Sequence, residues 1–189
     1  SMRDNGDGTQ SPYEINCNYL DFATSPDQSD ELRVQRFMLT QSVMLAMPGV
    51  PGIYYHSIVG SENDRQAAIE SGINRRINRA KLDYSELAGQ LADPGSLRER
   101  VFSRYKSLLD VRRQCPAFNP FGDAEYENQG PVFAIKRRSG GQTAFAIHNF
   151  SERSAEFVGL PEHATDMLSG ERIDGGTIVL DPFEYRWLK

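Results

Sequence analysis

The sequence predicts an α/β segment followed by a small antiparallel β domain, most simply a β-sandwich. Three observations carry this. A long apolar helix is joined by a very short link to an apolar run that suits a buried parallel strand. After residue 116 the hydrophobic period changes from about 3.6 to about 2. Turn residues then separate a series of short strand-like runs. The division expected is therefore 1–116 and 117–189.

The first twenty-odd residues are polar and turn-rich. Asn5-Gly6-Asp7-Gly8 holds two turn dipeptides, and Tyr13-Glu14-Ile15-Asn16 leads to Tyr19-Leu20, which reads as a loop and then a short extended segment. A helix follows from about Ser29 to Met47. Val34, Phe37, Met38, Met44 and Leu45 share one face; Leu39, Val43 and Met47 widen it. Ser29 and Asp30 can cap its start, and Pro48-Gly49 stops it. The run Val50-Pro51-Gly52-Ile53-Tyr54-Tyr55 has no polar alternation and suits a strand buried on both faces.

Residues 57 to 95 are polar, with short helices expected near Asp64 to Glu70 and Tyr84 to Leu91. The next helix starts at Ser96, which forms an S-x-x-E capping box with Glu99. Leu97, Val101, Phe102, Tyr105, Leu108 and Leu109 are its apolar face, and Cys115-Pro116 ends it. Val132–Ile135 and Ala144–Ile147 flank Ser139-Gly140-Gly141, a hairpin signal. Further strands are expected at Glu156–Val158, Asp166–Leu168, Thr177–Leu180 and Phe183–Leu188.

The chain has 189 residues, 39% hydrophobic and 25% charged, which is globular rather than disordered. A net charge of −5 argues against nucleic acid or an anionic membrane as partner. No apolar run approaches the roughly 20 residues that span a bilayer, and Ser1-Met2-Arg3-Asp4 lacks the apolar core of a signal peptide. A cytoplasmic location is the expectation. Cys17 and Cys115 are no disulfide framework and read as reduced thiols. His56, His148 and His163 are scattered, so no metal site is expected, and no cofactor.

In α/β folds the loops beyond the carboxyl ends of parallel strands gather function. Here that loop holds Asn63-Asp64 and then Asn74-Arg75-Arg76-Ile77-Asn78-Arg79. Arginine's planar fork suits hydroxyl-rich, carboxylate or phosphate ligands. On spacing alone, a solvated or salt-bridged loop explains the cluster better. Tyr13-Glu14 by itself is an ordinary loop with weak acid–base character. There is no Ser/His/Asp set in a nucleophile-elbow context and no glycine-rich phosphate loop. His148 lies in an apolar alternating strand and reads as a packed or edge histidine rather than a base.

Several motifs in order carry a resemblance over nearly the whole chain. The run from Ser11 through Tyr13-Glu14 to Tyr19 resembles a loop of sucrose phosphorylase-like enzymes of the α-amylase clan, glycoside hydrolase family 13. Met47 to Tyr55 resembles the clan's last barrel strand. Gly60-Ser61-Glu62-Asn63-Asp64 and Arg75-Arg76-Ile77-Asn78-Arg79 resemble the same subfamily's Asn-Asp and Arg-x-Ile-Asn-Arg signatures.

The resemblance implies the C-terminal portion of a (β/α)₈ barrel followed by the β domain. It implies retaining α-glucosyl transfer between a glucoside and phosphate. Arg75 aligns with an arginine that binds glucosyl hydroxyls, and Tyr13 and Glu14 fall on the loop shaping the acceptor and phosphate site. Sucrose phosphorylase resembles Asp-Leu-Tyr-Gln where this chain has Ser11-Pro12-Tyr13-Glu14, a change from amide to carboxylate. The acceptor is left open among fructose, fructose 6-phosphate, glycerate and another small polyol, and a hydrolase relative is an alternative. No residue matches the family's catalytic carboxylates, so the chain alone is expected to be inactive. The helix Val34–Met47 and strand Ile53–Tyr55 are expected to expose apolar faces and drive self-association. The competing readings are a non-catalytic carbohydrate-binding or interaction module and one half of a split glycoside hydrolase.

Overall fold

The computed structural model describes residues 1–189. Contacts divide the chain into two compact units, Ser1–Arg33 with Ile53–Phe102 and Val34–Gly52 with Ser103–Lys189. The division falls inside two long helices.

The first unit opens with a hairpin of β1 (Met2–Asp4) and β2 (Gln10–Pro12), in which Met2 lies opposite Pro12. Asp4 accepts the Gly6 N–H at 2.8 Å and Asp7 that of Thr9 at 2.9 Å, which is how Asn5-Gly6-Asp7-Gly8 turns the chain. This corrects the expected loop. The expected extended segment at Tyr19-Leu20 is instead the start of helix α1 (Tyr19–Ala23), which buries Leu20. The two strands are too short to show a period, and all but the half-buried Ser11 face solvent.

Helix α2 (Asp30–Ala46) starts after Ser29, whose Oγ accepts the Leu32 N–H at 3.3 Å. Beyond it the expected parallel strand is absent. Residues 50–54 have no regular structure, and α3 (Tyr55–Ile58) begins where the strand should run. Val50 is 82% exposed and Tyr55 52%. Every strand pair in the chain is antiparallel. With no parallel neighbour, the run cannot satisfy its backbone as a strand and stays in solvent.

Helix α4 (Arg65–Ser71) is capped by Asp64 and α5 (Tyr84–Ala92) by Asp83, with a 3₁₀ turn at Asn74–Asn78 between them. Helix α6 (Leu97–Gln114) begins as expected, Ser96 Oγ accepting the Glu99 N–H at 3.0 Å. The box is half made, because the Ser96 N–H goes to the Asp93 carbonyl. A side chain at Gly60 would meet Leu97 and Val101 at 3.2 Å, so that glycine lets α6 lie close.

The second unit is built on a four-stranded antiparallel sheet. Its strands are β3 (Asp123–Gln129), β4 (Val132–Ser139), β5 (Gln142–Asn149) and, after two ribbons, β10 (Tyr185–Leu188), in the order β10-β5-β4-β3. The ribbons pair β6 (Ala155–Val158) with β9 (Thr177–Leu180), and β7 (His163–Thr165) with β8 (Arg172–Asp174). One sheet face, with Val132, Ala134, Phe145, Ile147 and Leu188, packs on Phe157, Ile178, Leu180 and Ala164 of the ribbons. The opposite face meets α2: Ser42 bonds His148 and Trp187, and Ala46 bonds Arg137. The sheet is thus a middle layer, more than half of a sandwich. Residues Ala144–Asn149 of β5 are all buried.

This middle layer overturns the expectation that α2 shows an apolar face, since Val34, Phe37, Met38 and Leu45 are fully buried. Strands β3, β7 and β8 were not expected, and the expected strand Asp166–Leu168 supplies only a single bridge, Asp166 to Leu188. The β4–β5 hairpin turns at Gly140-Gly141 as expected, with φ of 58° and 73°, the paired positive values of a type I′ turn. Cys17 and Cys115 are free thiols. No helix is long and apolar enough to cross a membrane.

Gly122, where the chain enters β3, is a sensitive point. A Cβ there would lie 2.7 Å from the Arg138 carbonyl oxygen and 2.9 Å from Ser139 Cβ. Gly122→Ala is expected to cost about 2 kcal/mol in urea unfolding, by overpacking against backbone that cannot yield. Gly89→Ala, with open space around it, should stabilise slightly as a helix-interior change.

Candidate functional site

The site residues proposed from sequence meet in the first unit. Tyr13 and Glu14 follow β2, and Arg75 lies in the 3₁₀ turn Asn74–Asn78. Arg75 Nε donates to the Glu14 carboxylate at 2.8 Å, across 61 positions of sequence, and Arg75 Nη2 reaches the Tyr13 hydroxyl oxygen at 3.4 Å. The Arg75 guanidinium holds the Glu14 carboxyl below its usual range, with smaller contributions from Asn16 and Arg79. Reciprocally, Glu14 first and then Tyr13 push the arginine up.

The pair is open to water, with side-chain exposures of 44% for Arg75 and 31% for Glu14. It is therefore screened, and contributes little to folding. Its value lies in orientation. A guanidinium held by its Nε edge presents its remaining N–H groups to hydroxyls or an oxyanion.

Aromatic hydroxyls tie the arginine turn to the segment after Gly52. Tyr54 donates to the Asn78 carbonyl at 3.0 Å and Tyr55 to that of Ala80 at 3.5 Å. Arg76 Nε and Asn78 Oδ1 are buried without a partner in the chain. Polar atoms of this kind suit a polar ligand or water more than a dry core.

Two networks behind this surface escaped the sequence reading. Arg33, its side chain 6% exposed, binds Asp21 at 3.1 Å and Glu62 at 2.7 Å. His56 shares Ser61 Oγ with Arg98, at 2.9 and 3.0 Å. Burial first, and Arg98 second, push the His56 imidazole down. No spacing rule links these positions. Only the Gly60-Ser61-Glu62-Asn63-Asp64 run stands out, through its resemblance to a signature. His148 is buried and bonded, as a packed histidine should be.

Comparisons with known proteins bear on the chain as a whole. A sequence family described as the beta-galactosidase C-terminal domain matches residues 134–189. The glucosylglycerate phosphorylase of Escherichia coli K12 is 35% identical over 192 residues, covering 100% of this chain and 34% of that protein. That of Spirochaeta thermophila is 45% identical over 129 residues, covering 68% of this chain and 22% of that one. A sucrose phosphorylase of Agrobacterium vitis is 27% identical, covering 64% and 22%. Among solved structures, AmyP E221Q in complex with maltotriose superposes with a TM-score of 0.71 at 17% identity, over 89% of this chain and 37% of that one. The last of these shows likeness of fold. The chain spans about a third or less of the relatives it matches. It resembles the sucrose phosphorylase-like enzymes, being similar to glucosylglycerate phosphorylases over most or all of its length and to a sucrose phosphorylase over part of it.

Proposed function

We propose that the chain is the C-terminal part of a retaining α-glucosyl-transferring phosphorylase acting on a glucoside and phosphate. On this reading residues 1–116 end a barrel and 117–189 form the β domain after it. Arg75, Tyr13 and Glu14 contact substrate, and the catalytic carboxylates lie outside this chain. The observation that carries the reading is the convergence of Arg75 on Glu14 and Tyr13. The relatives named glucosylglycerate phosphorylases favour glycerate as acceptor over fructose. The exposed Val50, Tyr54 and Tyr55 support self-association of the isolated chain.

The test is phosphate-dependent release of glucose 1-phosphate from glucosylglycerate and sucrose. The 189-residue chain alone is expected to give none. Coexpressed with the preceding two-thirds of the Escherichia coli relative, it is expected to turn over glucosylglycerate, and Arg75→Ala to lower kcat/KM by about 100-fold. Turnover by the chain alone, or an active complex indifferent to Arg75, refutes the proposal.

A further inference from the structure

The two arms of the candidate site come from different stretches of chain, and residues 62–64 touch both. On one side, Asn18 donates its backbone N–H to Asn63 Oδ1 and its Nδ2 to the Glu62 carbonyl, each at 2.6 Å. Asn63 returns its own N–H to Asp21 at 2.8 Å and its Nδ2 to Cys17 Sγ at 3.3 Å. On the other side, the Asp64 N–H donates to the Ile77 carbonyl at 2.8 Å, inside the arginine turn. The Asp64 carboxylate meanwhile caps α4 through the Ala67 N–H at 2.9 Å.

We propose that Asn63 is a positioning residue for the Glu14–Arg75 pair. It anchors the loop that carries Glu14 through Asn18, while its neighbour Asp64 anchors the turn that carries Arg75 through Ile77. Asn63 bonds neither Glu14 nor Arg75 and acts through the stretches of chain that it and Asp64 hold. Asn18 is 3% exposed, so without Asn63 Oδ1 its N–H has no ready replacement acceptor. The loop must then shift to find water, and the shift carries Glu14 off the guanidinium. Arg33 still joins Asp21 to Glu62 by charge, which keeps the unit folded around the change. The catalytic meaning of the pair rests on the proposed function; the coupling itself does not.

The experiment follows the Glu14 side-chain carboxyl through a pH titration by NMR in the full 189-residue chain, without substrate. In the parent chain Glu14 is expected to titrate below the ordinary glutamate value because of Arg75. Asn63→Ala is expected to move it up toward that value. Asp83, held low by its own helix-capping bonds to Glu86 and Ser85, should not move. Asn63→Asp, which keeps the acceptor oxygen, is expected to keep Glu14 low. An unmoved Glu14 in Asn63→Ala overturns the proposal. So does a joint shift of Glu14 and Asp83, the mark of general unfolding. Should Asn63→Ala not fold, Asn63→Gln displaces the same amide by one methylene and is read the same way. Glucosyl transfer plays no part in the titration, so failure of the proposed function leaves this result standing, and the reverse.

Discussion

Replacing Arg137 with methionine is expected to lower stability by about 4 kcal/mol. Arg137 is fully buried at the centre of the second unit, with no carboxylate beside it. Its guanidinium instead donates to three main-chain carbonyls: Ala46 at 2.7 Å, Asn119 at 2.6 Å and Asp123 at 3.2 Å. Ala46 ends α2, where carbonyls lack helical partners and the dipole is negative. Arg112 serves the same end through Leu45, Met47 and Gly49. Burial pushes both guanidinium groups down, and in Arg112 the neighbouring Arg137 adds to this. Hydrophobic replacement of a buried ion pair is often harmless because both charges leave together. Here the acceptors are backbone and stay, so methionine of similar volume orphans them. Arg138→Ala, which removes an exposed pair with Glu125, should cost less than 1 kcal/mol. Urea unfolding decides it; an Arg137→Met loss no larger than the Arg138→Ala loss would refute the account.

Stability is also expected to fall as pH drops below neutral, by about 2 kcal/mol at pH 5 and about 3 kcal/mol near pH 4 from His148 alone. The side chain is completely buried. Its Nδ1 bonds the Phe133 carbonyl at 3.2 Å, which must accept, so that nitrogen carries the proton. Nε2 then accepts from Ser42 at 2.9 Å, and Ser42 Oγ accepts the Trp187 indole N–H at 2.8 Å. Burial drives the imidazole down from 6.5 to about 4. Above the unfolded value neither state is charged, and stability is flat. Between 6.5 and about 4 the unfolded chain takes up a proton that the folded chain refuses, so stability is lost as pH falls. His56, also pushed down, adds a loss of the same sign. Comparing the parent with His148→Gln between pH 7 and pH 5 isolates His148. Equal slopes in the two proteins would show that the imidazole is not held neutral.

Features fixed by adjacent residues were legible in the sequence. The Gly140-Gly141 turn, the Ser96 cap and the stop at Pro116 each depend on two or three neighbours, and each formed where expected. Features fixed by distant partners were not. Strand β3 is polar along nearly its whole length, and only its register with β4 makes it a strand. Val50–Tyr55 departs from expectation for the opposite reason, since its side chains suit a buried strand but these 189 residues supply no parallel neighbour to hold one. In the candidate site, composition and spacing left Arg75, Tyr13 and Glu14 as ordinary surface residues. Resemblance singled them out, and their contact appears only in three dimensions. The Arg33–Asp21–Glu62 pairing had no signal in spacing, because charge pairing across loops leaves no period; resemblance touched Glu62 alone.

Strand β5 lies inside a middle layer, with Ala144 to Asn149 hidden on both faces. An ordinary amphipathic strand drifts freely on its wet side while its dry side is held. This one has no wet side, so inheritance can alter it only by changing neighbours in two layers at once. Divergence among descendants of this domain should therefore collect in β3 and the outer faces of the ribbons, leaving β5 as the slow clock of the fold.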